Sequence, residues 1–153
     1  MDLILWRHAE AQELSDSGDD LARVLTVRGE KDAARMGKWL DRMLPEGARI
    51  LCSPAVRCEQ TAVALGRRYK IRPELAPDGD PEQLLLAAQW PHARQLVVIV
   101  GHQPTLGQTV ASLLGMAQDA CPVRKGAAWW LRSRERNHEL QTVLVSVQSP
   151  DLV

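Results

Sequence analysis

The stretch "QLVVIVGH", residues 95–102, constrains this chain more than any other. Val97 to Val100 are apolar on both faces of any strand they form, so both faces must be covered. A strand of that kind belongs inside a sheet packed between helices. "LILW" (3–6) reads as a second short buried strand, and "ARILCS" (48–53) as a third.

Helical patterns lie between and after these runs. From Val27 to Leu44 the residues Ala33, Met36, Gly37, Leu40 and Leu44 share one face. Ser53-Pro54 predicts the start of a helix reaching about Tyr69, with Cys58, Ala62, Leu65 and Tyr69 as its inner stripe. A third helix is predicted over Glu82–Trp90 and a fourth over Pro104–Leu114, with one short strand around Leu75. Residues 12–20 are rich in Ser, Asp and Gly and read as a loop. The tail, 127–135 and 138–148, reads as two strands joined near Arg136-Asn137. Strands alternating with helices predict an α/β three-layer sandwich, with a mainly parallel central sheet and helices on both faces. With no repeat, low-complexity tract or long linker, residues 1–153 are expected to form one domain.

Composition narrows the partners. Nineteen basic residues balance nineteen acidic ones, so no global field draws the chain to nucleic acid or to an anionic membrane. Any anion site must be local. Three cysteines, Cys52, Cys58 and Cys121, form no CxxC pair, and no stretch approaches the roughly 18 consecutive apolar residues of a membrane span. Met1-Asp2 and four apolar residues do not make a secretory leader. The expectation is a cytoplasmic protein with free thiols, Cys52 and Cys58 serving as small core residues.

Three strands end in polar clusters. The first ends in Arg7-His8, the second in "SPAVRCEQT" (53–61), and the "VVIV" strand in Gly101-His102. In a parallel sheet with right-handed crossovers the carboxyl ends share one edge, where ligands bind. Arg7, His8, Arg57 and His102 are therefore expected to meet. Arg57 falls near the first turn of its predicted helix, where the helix dipole disfavours a cation unless an anion is bound there. Gln60 and Thr61 share its face and are placed to support it. Two arginines suit a phosphoryl group, whose oxygens match the guanidinium fork. Two histidines suit phosphoryl transfer, one as nucleophile and one as hydrogen-bond or proton donor. Neighbouring arginines hold an imidazole neutral, and such a pair predicts a bell-shaped pH profile between about 5 and 9. A metal at His8, Glu10 and His102 is disfavoured, because the guanidinium groups repel a cation and the spacing matches no standard zinc pattern.

"RHAEA" (7–11), "LTVRG" (25–29), "SPAVRCEQT" and "GHQPTLG" (101–107) together resemble the histidine phosphatase (phosphoglycerate mutase-like) superfamily. The short length and the wording of the first and last motifs look most like the small bacterial SixA-type phosphohistidine phosphatases. The resemblance implies that His8 is a nucleophile that becomes transiently phosphorylated. Arg7 and Arg57 would clamp the phosphoryl oxygens, and His102 would complete the pocket. It implies no metal and no organic cofactor. The implied partner is a phosphorylated protein, such as a histidine phosphotransfer domain or a phosphocarrier, or else a small phosphorylated molecule.

Two features depart from the family. Ala9 stands where many members have Gly, a residue with more conformational freedom. The acidic residue that larger members carry on an insertion has no clear counterpart. Asp78, Asp80 and Glu82 are candidates by region, and Glu10 is a further one, better placed to orient neighbours. A site without a strong acid should favour N–P over alkyl O–P substrates, since a phosphorylated imidazole already carries a ring proton and leaves neutral. Two other readings stay open: a small-molecule phosphomonoesterase and a non-catalytic phosphoryl-binding module. Thr26 and Gly29 are read as a helix cap and a close-packing site, and His92 and His138 as turn residues. Trp129 and Trp130 should face opposite ways, one into the core and the other over an edge or a substrate surface.

Overall fold

A computed structural model describes all residues, 1–153. Ten elements follow in order: β1 (Asp2–Arg7), α1 (Val27–Met43), β2 (Arg49–Cys52), α2 (Val56–Val63), β3 (Lys70–Ile71), α3 (Pro81–Ala88), β4 (Val97–Gly101), α4 (Thr105–Leu114), β5 (Ala128–Arg136) and β6 (Glu139–Gln148). Short 3-10 turns occupy Asp20–Ala22 and Pro73–Leu75.

The strands form one sheet in the order β3-β2-β4-β1-β5-β6. β3, β2, β4 and β1 run parallel, whereas β5 is antiparallel to β1 and β6 to β5. As its unbroken apolar run requires, β4 lies between two strands with all five residues buried. Alternation along the strands sorts side chains onto two faces. Leu3, Leu5, Leu51, Val97 and Ile99 pack with Leu84 of α3 and with Leu106 and Val110 of α4. Ile4, Trp6, Ile50, Cys52, Val98 and Val100 pack with Met36 and Leu40 of α1 and with Cys58 and Ala62 of α2. Helices thus cover both faces, giving the expected three layers. Each such Val, Leu or Ile contributes about 1.5–3 kcal/mol when fully buried.

Register brings the strand ends level. Arg7 pairs with Gly101, and Cys52 with Val100. The residues that follow therefore emerge along one edge of the sheet. Thr26 caps α1, its hydroxyl accepting from the Gly29 amide, as its sequence position suggested.

Several boundaries differ from expectation. α2 starts at Val56 with Ala55 as its cap, because the Ser53 hydroxyl accepts from the Ala55 amide two residues too early to cap it. It also stops at Val63, well short of Tyr69, with Gly66 at φ +76° turning the chain. Leu65 is buried and Tyr69 packs against the same core, so their apolar pattern is genuine but belongs to a turn and a strand approach. The strand expected around Leu75 is a 3-10 turn opened by Pro73, and the paired segment is Lys70–Ile71. α3 begins at Pro81, capped by Asp80, and ends at Ala88 because Gln89 adopts φ +58°. The final hairpin turns on Asn137 and His138, both at positive φ, one residue later than expected. Trp129 and Trp130 face opposite ways, but each packs against a core, so neither is left over for a substrate surface. No helix is long and apolar enough to cross a membrane.

Candidate active site

The strand ends build one cleft of about 340 Å³, into which Arg7, His8, Arg57 and His102 all project. Arg7 is the last residue of β1, and His8 follows it with its amide donating to Gly101 O at 3.1 Å. His102 follows β4. Arg57 is the second residue of α2, in the first turn as anticipated. The two imidazole centroids lie 5.3 Å apart with planes inclined by 58°.

Both histidines are buried; His8 has one nitrogen tied and His102 has both. His8 Nδ1 lies 2.7 Å from Ala9 O. A carbonyl only accepts, so Nδ1 carries the proton and Nε2 keeps its lone pair. Burial, reinforced by the charges of Arg57, Arg7 and Arg23, lowers the His8 pKa to about 4 against the opposing pull of the Ala9 carbonyl. His102 is lowered to about 3, again mainly by burial, then by His8 and Arg57. Its Nε2 is 2.7 Å from Ser53 Oγ, and its Nδ1 is 3.4 Å from Arg57 Nη2. Both rings are therefore neutral across the pH 5–9 range. That moves the acid limb foreseen inside this range down to about 4.

Cys58 Sγ stands 3.4 Å from His102 Nε2, so this residue borders the site as well as the core. Burial pushes its thiol up to about 12, with Ser53 and Arg57 opposing, which leaves it no thiolate to compete as a nucleophile.

Arg57 is only 3% exposed. Its Nη1 donates to Asp20 O at 2.8 Å and its Nη2 to Asp20 Oδ2 at 3.1 Å. Arg7 Nη1 donates to Val123 O at 2.8 Å. The Nε atoms of both arginines are buried without a partner. One buried and one half-buried guanidinium group, each with an unspent donor, beside two neutral imidazoles make a cradle for an oxyanion.

Of the two supports suggested by sequence, Thr61 acts at the site, whereas Gln60 holds the Leu25 backbone outside the cleft. Thr61 Oγ1 accepts from the Ala9 amide at 3.1 Å and donates to Arg57 O at 2.8 Å, tying the His8 loop to α2. Gln60 Oε1 accepts from the Leu25 amide at 2.7 Å. Ala9 is not among the positive-φ residues, so the backbone there places no demand for Gly.

The candidate acids separate. Glu10 lies outside the cleft, accepting from the Thr26 hydroxyl at 2.8 Å, while Asp80 caps α3 through the Glu82 amide. Glu82 does not line the cleft, and of the four only Asp78 does. The sequence reading overlooked Asp20 and Arg23, which also line it. Their signal was an acid and a base three apart at the end of a Ser/Gly/Asp loop. Slight burial raises the Asp20 pKa, but Arg23 and Arg57 outweigh it and hold the carboxyl below its ordinary value. Asp20 is thus an acceptor at neutral pH, not a proton donor. No three His, Cys, Asp or Glu side chains converge on a possible metal position.

Comparison with known proteins agrees with this geometry. Residues 3–78 match the model of the histidine phosphatase superfamily (branch 1). The chain is 32% identical over 130 residues to the phosphohistidine phosphatase SixA homolog of Haemophilus influenzae, spanning 75% of this chain and 78% of the relative. It is 31% identical over 121 residues to phosphohistidine phosphatase SixA of Escherichia coli, spanning 74% of each. The structure of the protein histidine phosphatase SixA complexed with tungstate superposes with a TM-score of 0.80 at 25% identity, covering 99% of this chain and 98% of the other. Parallel β-strands that deliver two arginines and two neutral histidines to one edge, with relatives this close, place the chain in the histidine phosphatase superfamily.

Proposed function

We propose that residues 1–153 form one cytoplasmic, metal-independent phosphatase domain that works through a covalent phosphohistidine at His8. Its substrate would be phosphohistidine on a signalling or phosphocarrier protein. The observation that carries this reading is the His8 Nδ1 contact with Ala9 O, which leaves Nε2 unprotonated in a ring that lines the cleft.

Nε2 attacks the phosphorus while the N–P bond of the substrate breaks, and the departing imidazole leaves neutral with the proton already on its ring. Arg7 and Arg57 hold the equatorial oxygens, with Arg57 exchanging Asp20 for phosphoryl oxygen. Arg57 Nη2 can only donate, so His102 Nδ1 accepts and the ring proton sits on Nε2, donated to Ser53 Oγ, which fixes the ring beside the phosphoryl group. Water then attacks the phosphorus on His8, releasing inorganic phosphate and restoring the lone pair. Asp20 is ionised and so offers no proton to an alkoxide, which favours N–P substrates. The relatives named phosphohistidine phosphatases support the same substrate class.

A chemically phosphorylated histidine protein tests this directly. Wild type should release phosphate with or without EDTA, and His8→Ala should not. Phosphoramidate should turn over faster than an alkyl phosphate. Equal or better alkyl turnover would point instead to a small-molecule phosphomonoesterase, and binding without release would point to a phosphoryl-binding module.

A further inference from the structure

A second cleft, of about 460 Å³, opens beside the first, and Lys125 lines both. Arg28, Lys31 and Arg35 reach it from α1, and Arg124 and Lys125 from the segment that leads into β5. Spaced three and four apart, the α1 residues form one row about 10 Å long. No hydrophobic side chain lines this cleft. Five cations face three carboxylates, Glu10, Asp32 and Asp151, in a chain whose charges balance overall.

Two of those carboxylates are already engaged. Glu10 accepts from Thr26 and Asp151 from Ser149, while Asp32 stands 4.0 Å from Arg28. The cations are held loosely. Arg124 is 3.5 Å from Asp151, and Arg35 reaches only Pro150 O at 3.5 Å. Lys31 and Lys125 enter no ion pair. Exposed pairs of this kind contribute little by themselves, so the cations are free to exchange them for another anion.

We propose that this cleft docks an acidic segment of the phosphorylated protein, seating carboxylates near the phosphohistidine while its imidazole enters the catalytic cleft. The inference rests on the phosphohistidine reading above and adds how the protein substrate is selected. The interspersed carboxylates and the absence of aromatic side chains fit a protein surface better than single-stranded nucleic acid, which seeks stacking platforms. A polar, cationic, solvent-open groove gives fast, salt-sensitive association suited to a substrate that must leave.

The test uses two synthetic peptides phosphorylated on one histidine, one flanked by Glu and Asp, the other with these changed to Gln and Asn. Wild type is compared with Arg28→Glu/Lys31→Glu, two exposed side chains outside the catalytic cleft. At low salt, kcat/KM for the acidic peptide should fall about tenfold in the double variant, mainly through KM. Values for the neutral peptide and for phosphoramidate should stay within about twofold of wild type, well inside that electrostatic effect. Fluorescence anisotropy of the unphosphorylated acidic peptide should show the same loss of affinity. A double variant that treats the acidic peptide as wild type does, or that loses equally on all three substrates, overturns the docking groove. If wild type releases phosphate from none of them, the phosphatase reading fails, and the anisotropy result still decides the groove.

Discussion

At His8 one hydrogen bond and one desolvation effect combine. The Ala9 carbonyl fixes which nitrogen is free, and burial among guanidinium groups keeps that nitrogen unprotonated. The consequence for rate is specific. After correction for the substrate's own ionisation, kcat/KM should hold from pH 7 to about 5 and decline only near the His8 value of about 4. An acid limb near 6.5, measured on wild type, would contradict a pre-neutralised nucleophile. Ser53 acts through His102, so Ser53→Ala should lower kcat by up to about 10²-fold, and Ser53→Thr should recover much of it. Steady-state kinetics on phosphoramidate checks both variants. At this scale the sequence was informative about identity but not about pairing. Arg7, His8 and His102 stood out as polar residues at the ends of buried strands, and Arg57 as a cation in a first helical turn, where the dipole disfavours it. Asp20 and Arg23 did not stand out, because a polar loop hides which of its charges turns inward. Only the folded chain shows Asp20 on Arg57.

Elements place these side chains through close backbone contacts. A Cβ on Gly29 would sit 2.0 Å from Glu10 O, so α1 presses directly on the chain that leaves His8. Gly29→Ala must push that segment away. It should cost about 1–3 kcal/mol, as overpacking does, and should reduce activity as well as Tm. Thermal denaturation and phosphoramidate turnover measure the two effects. A Gly29→Ala protein with wild-type Tm would show that the loop gives way without cost. Thr61 is the matching clamp from α2, joined to both Ala9 and Arg57. Thr61→Val keeps the shape and removes both bonds, so its loss should appear in activity more than in folding. Legibility was uneven here too. Strands β1, β2 and β4 and helix α1 were readable from unbroken apolar runs and a clean one-face stripe. The ends of α2 and α3 were not. Ser53 looks like a cap but spends its hydroxyl on His102 and Ala55, and Gln89 ends α3 with a positive φ that its residue type does not advertise.

Across the whole molecule the two buried histidines link the site to stability. Their ordinary pKa is 6.5, and in the folded protein they titrate near 4 and 3. Between those limits the unfolded chain binds protons that the native chain refuses, so stability is greatest above 6.5 and is lost as pH falls toward 4. Tm should decline over that window, and His102→Gln should show a shallower decline than wild type by scanning calorimetry. The sheet order and the level register of the three strand ends explain why residues 7, 57 and 102, far apart in sequence, share one pocket. The general rule for parallel sheets placed them there from sequence. The antiparallel β5 on the far side of β1 had no signal, because pairing partners of a hairpin are set by tertiary packing. The covalent step is where the reading stands or falls, and rapid-quench labelling interrogates it most directly. Enzyme mixed with a ³²P-phosphohistidine protein and stopped in alkali within milliseconds should carry an acid-labile, base-stable label on His8 that decays as phosphate appears. Wild-type turnover with no labelled enzyme at any time, or continued turnover by His8→Ala, would contradict it.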